Sequence, residues 1–111
     1  MAVFANISVD QGSSFTSIIV VEGVEGLIVN LENYTVRGQI RKTYASLTAV
    51  NFTAEIISED SGEIEISLTA AQTRAMKPGR YVYDVEVIDD TNIVTRVVEG
   101  QLEINPAVTR P

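Results

Sequence analysis

The sequence contains no cysteine, no histidine and no tryptophan. Without cysteine there is no disulfide, no thiolate metal site and no sulfur nucleophile. Without histidine the chain lacks the usual general base, the usual triad member and the commonest metal ligand. No charge-free apolar run approaches the roughly 20 residues that span a bilayer. The first residues show neither the basic segment nor the long apolar stretch of a secretory signal. The expected product therefore stays in the cytoplasm where it is made, unless it is carried inside a larger assembly. What is left to hold a fold is packing and sheet hydrogen bonding.

Apolar residues make up 45 % of the 111 positions, an ordinary share for a globular chain and too high for disorder. That length fits one domain, residues 1–111, with a single modest core. The formal net charge of −7 argues against a non-specific nucleic-acid binder, which needs a basic surface to displace counterions. It argues equally against anionic membrane surfaces. Its plainest role is to keep the particle soluble.

Period-two alternation dominates the chain. Residues 3–9 read as a first strand and Phe15–Val21 as a second, separated by the turn cluster Asp10–Ser14. The run Ile18-Ile19-Val20-Val21 is continuously apolar, as in a strand covered on both faces. Residues 22–26 read as an exposed loop and Leu27–Leu31 as a short strand or an extended link. Tyr34, Val36, Gly38 and Ile40 then face one way, and Thr35, Arg37, Gln39 and Arg41 the other. Gly38 marks a bulge or a close approach of another backbone. Residues 50–57 and 63–68 read as a hairpin about the turn Ser58–Gly62. Ile93–Ile104 returns from a turn at Asp89–Asn92, with a bulge expected at Gly100, and the tail from Ala107 has nothing to bury.

The stretch Leu68–Ile88 organises the rest. Thr69 and Gln72 fit a capping box, Ala70–Met76 favours one helical turn, and Pro78-Gly79 ends it. Tyr81, Tyr83, Val85 and Val87 then alternate with polar and aliphatic residues. In immunoglobulin-like domains a tyrosine near the start of a late strand bonds back to the preceding corner. Tyr81 takes that place, and Tyr83 falls where antibody domains put a half-cystine. A buried phenol needs a partner, so one or both hydroxyls should reach a rim or a carbonyl. The other reading makes the two rings a platform for sugars or bases, which 6 % aromatic content favours little.

Candidate sites are few. Acidic pairs stand at Glu22/Glu25, Glu59/Asp60 and Asp89/Asp90, and the last is a candidate for calcium or a solvated turn. A glycosidase pair of carboxylates is a further, weaker reading. Arg37, Arg41 and Lys42 lie along one strand, where Arg80 and Arg96 join them if their strands are neighbours. They form either an ion-pair ladder with Glu86 and Glu99 or a patch for a partner's anionic groups. Phe4 and Phe15 are read as core, with a subunit anchor as the alternative. No catalytic, cofactor-binding or metal-binding residue is assigned.

These segments together resemble a family of small tailed-bacteriophage virion proteins, the immunoglobulin-like baseplate and tail domains typified by the N-terminal domain of upper baseplate proteins. The likeness is carried by DQGSSF before an apolar strand, by LENYTVRGQIRKTY, by GEIEISLTAAQTRAMKPGRYVYDVEV and by VTRVVEGQLEINPAVTR. It covers about Asn6 to Arg110. It implies an all-β, immunoglobulin-like antiparallel β-sandwich of seven to eight strands with one short helical turn. It also implies a non-enzymatic structural or assembly protein of the virion, in tail, baseplate or neck, without cofactor. Its partners would be other virion subunits or copies of itself. Contacts would come from edge strands, the exposed sheet face, the N-terminal arm, the 22–26 loop and the 105–111 tail. A stand-alone accessory protein is the expected form, since the sequence carries no C-terminal extension of the upper baseplate kind. The alternative is a carbohydrate- or host-surface-binding sandwich, which needs two or three exposed rings about a groove.

Overall fold

Alternating side chains bury one face of each strand, and two such faces close on each other in this protein. The computed structural model describes residues 2–23 and 26–110. In chain order the elements are β1 (Val3–Phe4), β2 (Ile7–Asp10), β3 (Phe15–Val20), β4 (Thr35–Arg41), β5 (Val50–Asn51), β6 (Thr53–Ser58), β7 (Glu63–Leu68), α1 (Ala70–Ala75), β8 (Gly79–Ile88) and β9 (Val94–Asn105). The larger sheet runs β1-β9-β8-β4-β5, with β2 also on β9, and the smaller runs β3-β7-β6. The fold is an immunoglobulin-like β-sandwich. Leu31, Ile40, Ile64, Ile66, Val85, Leu102 and Ile104 are sealed between the layers, each contributing about 1.5–3 kcal/mol by leaving water.

Two features bind the layers together. The chain changes sheet at Phe52: β5 pairs with β4, while β6 pairs with β7. The expected hairpin therefore begins only at Thr53, and Val50 and Asn51 belong to the other layer. The Phe52 ring lies 5.9 Å from Tyr83 in an edge-to-face contact and 6.4 Å from Phe15. Gly38 makes room for it, since a β-carbon there would sit 3.0 Å from the Phe52 ring. Gly38 is thus the close approach and not a bulge.

The N-terminal segment departs furthest from expectation. The single strand over 3–9 is broken at Ala5-Asn6, and both halves pair parallel with β9, so the sandwich is not wholly antiparallel. The Ala5 N–H donates to Glu99 O at 2.8 Å, and Asn6 Oδ1 accepts the Gln101 N–H at 3.1 Å. The Ala5 carbonyl accepts the Tyr83 hydroxyl at 2.7 Å. Gly100 lies beneath this crossing in regular register with Tyr83. The bulge expected there sits at Val97 instead, between the pairs Val85–Val98 and Glu86–Arg96. The extra residue lets Val97 and Val98 both be buried in succession.

Two burial expectations are corrected. The outer face of the smaller sheet is open, so Ile18 and Val20, which alternate onto it, are exposed. Phe4, expected in the core, is 65 % exposed because β1 lies at a sheet edge. Phe15 is half-buried against Phe52.

The helical turn forms as its capping residues dictate. Thr69 Oγ1 accepts the Gln72 N–H at 3.1 Å and Gln72 Oε1 accepts the Thr69 N–H at 2.9 Å. Thr73, fully buried, ties α1 to the β2–β3 turn: its hydroxyl accepts the Gly12 N–H and lies 2.9 Å from the Ser13 carbonyl. Thr73→Val keeps the volume and strands both groups. The expected loss is about 1–3 kcal/mol, read as a lower denaturant midpoint with unchanged slope.

Candidate functional site

The outer face of the larger sheet carries the ion pairs found among the described residues. Period-two alternation places Arg37, Gln39 and Arg41 of β4 beside Val82, Asp84 and Glu86 of β8, and Arg96 and Glu99 of β9 beside those. Arg37 Nε pairs with the Glu86 carboxylate. Arg96 reaches Asp84 at 3.2 Å and Glu99 at 3.7 Å. Of the five basic residues expected in the ladder, Arg37 and Arg96 form it with Glu86 and Glu99, joined by Asp84, which sequence reading missed; Arg41, Lys42 and Arg80 are in none of these ion pairs. Exposed pairs of this kind contribute only about 0–1 kcal/mol each. Their effect is to fix where the charges stand.

Arg41 ends β4 and orders the loop that follows. Its guanidinium donates to Ser46 O at 2.7 Å and to Gln39 Oε1 at 3.0 Å. Gln39 in turn donates to Asn51 Oδ1 at 3.0 Å. The loop carries Tyr44, 80 % exposed, to the rim of a shallow depression of about 290 Å³ lined also by Gln39, Arg41, Asp84, Glu86, Arg96 and Glu99. Nothing in the alternation before Tyr44 singles it out, because it lies in the loop beyond β4.

Partial burial pushes the Asp84 carboxyl above its ordinary value. Arg96 and Arg41 draw it down, while Glu86 and Glu99 add to the rise. The folded state thus keeps this proton to higher pH than the unfolded chain. Stability from this group is greatest below the unfolded value and falls as pH rises through the folded one. Asp84→Asn removes that loss. The variant is expected to gain a small stability advantage at neutral pH, vanishing below about pH 4, in paired thermal melts.

The other predicted positions are structural. The Tyr81 hydroxyl donates to Lys77 O at 2.7 Å, closing the corner, and Lys42 Nζ sits 4.7 Å above its ring while donating to Arg80 O at 2.9 Å. Tyr83 is 5 % exposed, so the two tyrosines form no platform. The Asp89 carboxylate accepts from the Thr91 N–H and hydroxyl and from the Ile93 N–H, which lowers its pKa. It shapes a turn. Asp60 accepts from Asn30 Nδ2 at 3.3 Å, and Glu59 offers its carbonyl to the Leu31 N–H. Glu22 is exposed, and Glu25, with Val24, lies outside the described residues. Among the described residues no group of three or more acidic side chains is placed to hold a metal ion. Arg80 faces Glu103 across the β8–β9 ladder.

No protein-family model matches the sequence, and no curated protein matches it. Among solved structures the chain is similar to an internalin-like protein, lmo2027, of Listeria monocytogenes. That match has a TM-score of 0.50 and 19 % identity, over 94 % of this chain and 28 % of that one. At this identity the likeness speaks to the fold alone. This chain spans only 28 % of that protein's chain.

Proposed function

We propose that this protein is a non-enzymatic assembly module of a tailed-phage virion, made in the host cytoplasm and docking other virion subunits or copies of itself. One observation carries the reading. The outer face of the larger sheet is a broad surface on which Arg37, Asp84, Glu86, Arg96 and Glu99 are held in register by their strands and by one another. Such a fixed charge pattern serves orientation and partner choice more than affinity. The resemblance supplies the setting: three of its segments contain β4, β8 and β9, the strands that build this face.

The test has two steps. Light scattering of the purified chain gives its association state. Carboxylate-directed cross-linking of intact particles should then join Glu86 or Glu99 to a second virion polypeptide. A chain that is monomeric and absent from particles would overturn the proposal.

The carbohydrate reading draws on Tyr44, an exposed ring beside Asp84, Glu86 and Glu99. It predicts glycan-array binding that Tyr44→Ala abolishes. A single ring at the depression supports it less well than the charged face supports protein docking.

A further inference from the structure

The chain's basic residues are divided unequally between the two sheets. None lies on β3, β6 or β7, whereas Glu55, Glu63 and Glu65 do. Glu55 stands directly opposite Glu65, a cross-strand like-charge pair that sheets disfavour. Among the described residues none of the three has a cation within 4 Å. Beside them β3 forms the edge of the smaller sheet. Its residues pair with β7 alone, so its other side presents unpaired backbone donors and acceptors.

The devices that ordinarily protect such an edge are missing. FTSIIV contains no charge and no proline, and its register with β7 is unbroken over all six residues. Ile18 and Val20 are 56 % and 44 % exposed. Ile18 lies opposite Glu65 and Val20 opposite Glu63.

We infer that the β3 edge receives an extended segment of a partner protein in which Lys or Arg alternates with apolar residues. Backbone hydrogen bonds to β3 would add the segment as a fourth strand. Strands in a sheet lie about 4.8 Å apart, so the added strand is roughly 10 Å from β7. A lysine or arginine stem can cross that gap over Ile18 or Val20, with its head reaching Glu65 or Glu63. The alternate residues would face the mouth of the sandwich, where Phe15 and Ile19 are only half-buried. A second copy fits this edge poorly, because its β3 brings no cation and sets its own Glu63 and Glu65 nearby. The inference names one partner chemistry for the assembly role proposed above, and rests on that role only in expecting a macromolecular partner.

The isotope-labelled protein titrated with short synthetic peptides provides the test. A peptide alternating Val and Lys should shift the β3 amides and bind roughly tenfold more tightly than one alternating Val and Glu, the advantage shrinking with added salt. The double variant Glu63→Lys, Glu65→Lys should reverse the preference, with its spectrum outside β3 and β7 showing the fold retained. Equal binding of the two peptides, or shifts centred away from β3, would overturn the inference. So would protection of β3 amides on raising protein concentration without peptide, since a second copy would then hold the edge. Cross-links from intact particles judge the assembly role independently, so failure with the peptides leaves that role standing.

Discussion

Gly100→Ala is expected to destabilise the protein by about 3–5 kcal/mol, the sum of overpacking and a lost buried hydrogen bond. A β-carbon at Gly100 would lie 1.9 Å from the Ala5 carbonyl oxygen and 2.7 Å from its carbon. Both are backbone atoms, so no side-chain rotation relieves the clash. The chain between β1 and β2 must lift, and the Tyr83 hydroxyl then loses its acceptor. Denaturant unfolding reads the loss, and amide exchange should show β1 and the start of β2 opening first. A change within about 0.5 kcal/mol, the range of ordinary surface substitutions, would mean that the Ala5 crossing is wrongly placed.

Tyr83→Ala has the second large effect. The ring touches Phe52 between the sheets and the hydroxyl holds Ala5, so about 3–5 kcal/mol is expected for the lost aromatic volume. Tyr83→Phe separates the two contributions. It leaves the ring in place and strands the Ala5 carbonyl, for a loss of about 1–3 kcal/mol. The Phe variant and Gly100→Ala act on one contact, so their effects should fall short of additive in a double-mutant cycle. Alkaline titration supplies an independent reading. Burial pushes the Tyr83 phenol up to about 12 from 10.0. Between those values the unfolded chain has released the proton and the folded chain retains it, so stability falls as pH rises through that window. Tyr83→Phe should lose this part of the alkaline slope.

Much of this frame is legible residue by residue. EIEISL alternates without a break and becomes β7. Thr69 and Gln72 announce their reciprocal bonds. Tyr81 declares the corner, since its spacing from Pro78-Gly79 leaves the hydroxyl few other partners. Arg37 and Glu86 share a ladder because both alternate outward. What escapes the sequence is what depends on the neighbour a strand finds. Ile18 and Val20 sit in an apolar run that suggests two covered faces, yet the outer face of β3 is open. Phe4 looks like core, but its strand is two residues long and at an edge. The glycine at position 100 reads as a bulge because glycine suits both a bulge and a close crossing. Thr73 resembles any polar helix residue until the β2–β3 turn folds onto it. At the candidate site, Asp84 and Tyr44 were hidden for the same reason: one waits on Arg96 from the next strand, the other on a loop tied down by Arg41.

The parallel seam between the first and last strands has a mechanical consequence. It runs from the pair Val3–Val98 to the pair Asp10–Asn105. Tension on the chain thus enters at one pole of the seam and leaves at the other. The backbone bonds along it are loaded together in shear, whereas peeling would break them singly. Single-molecule stretching from the two ends should meet a high yield force, lowered in Gly100→Ala. A fold fastened this way can transmit pull along its length without coming undone.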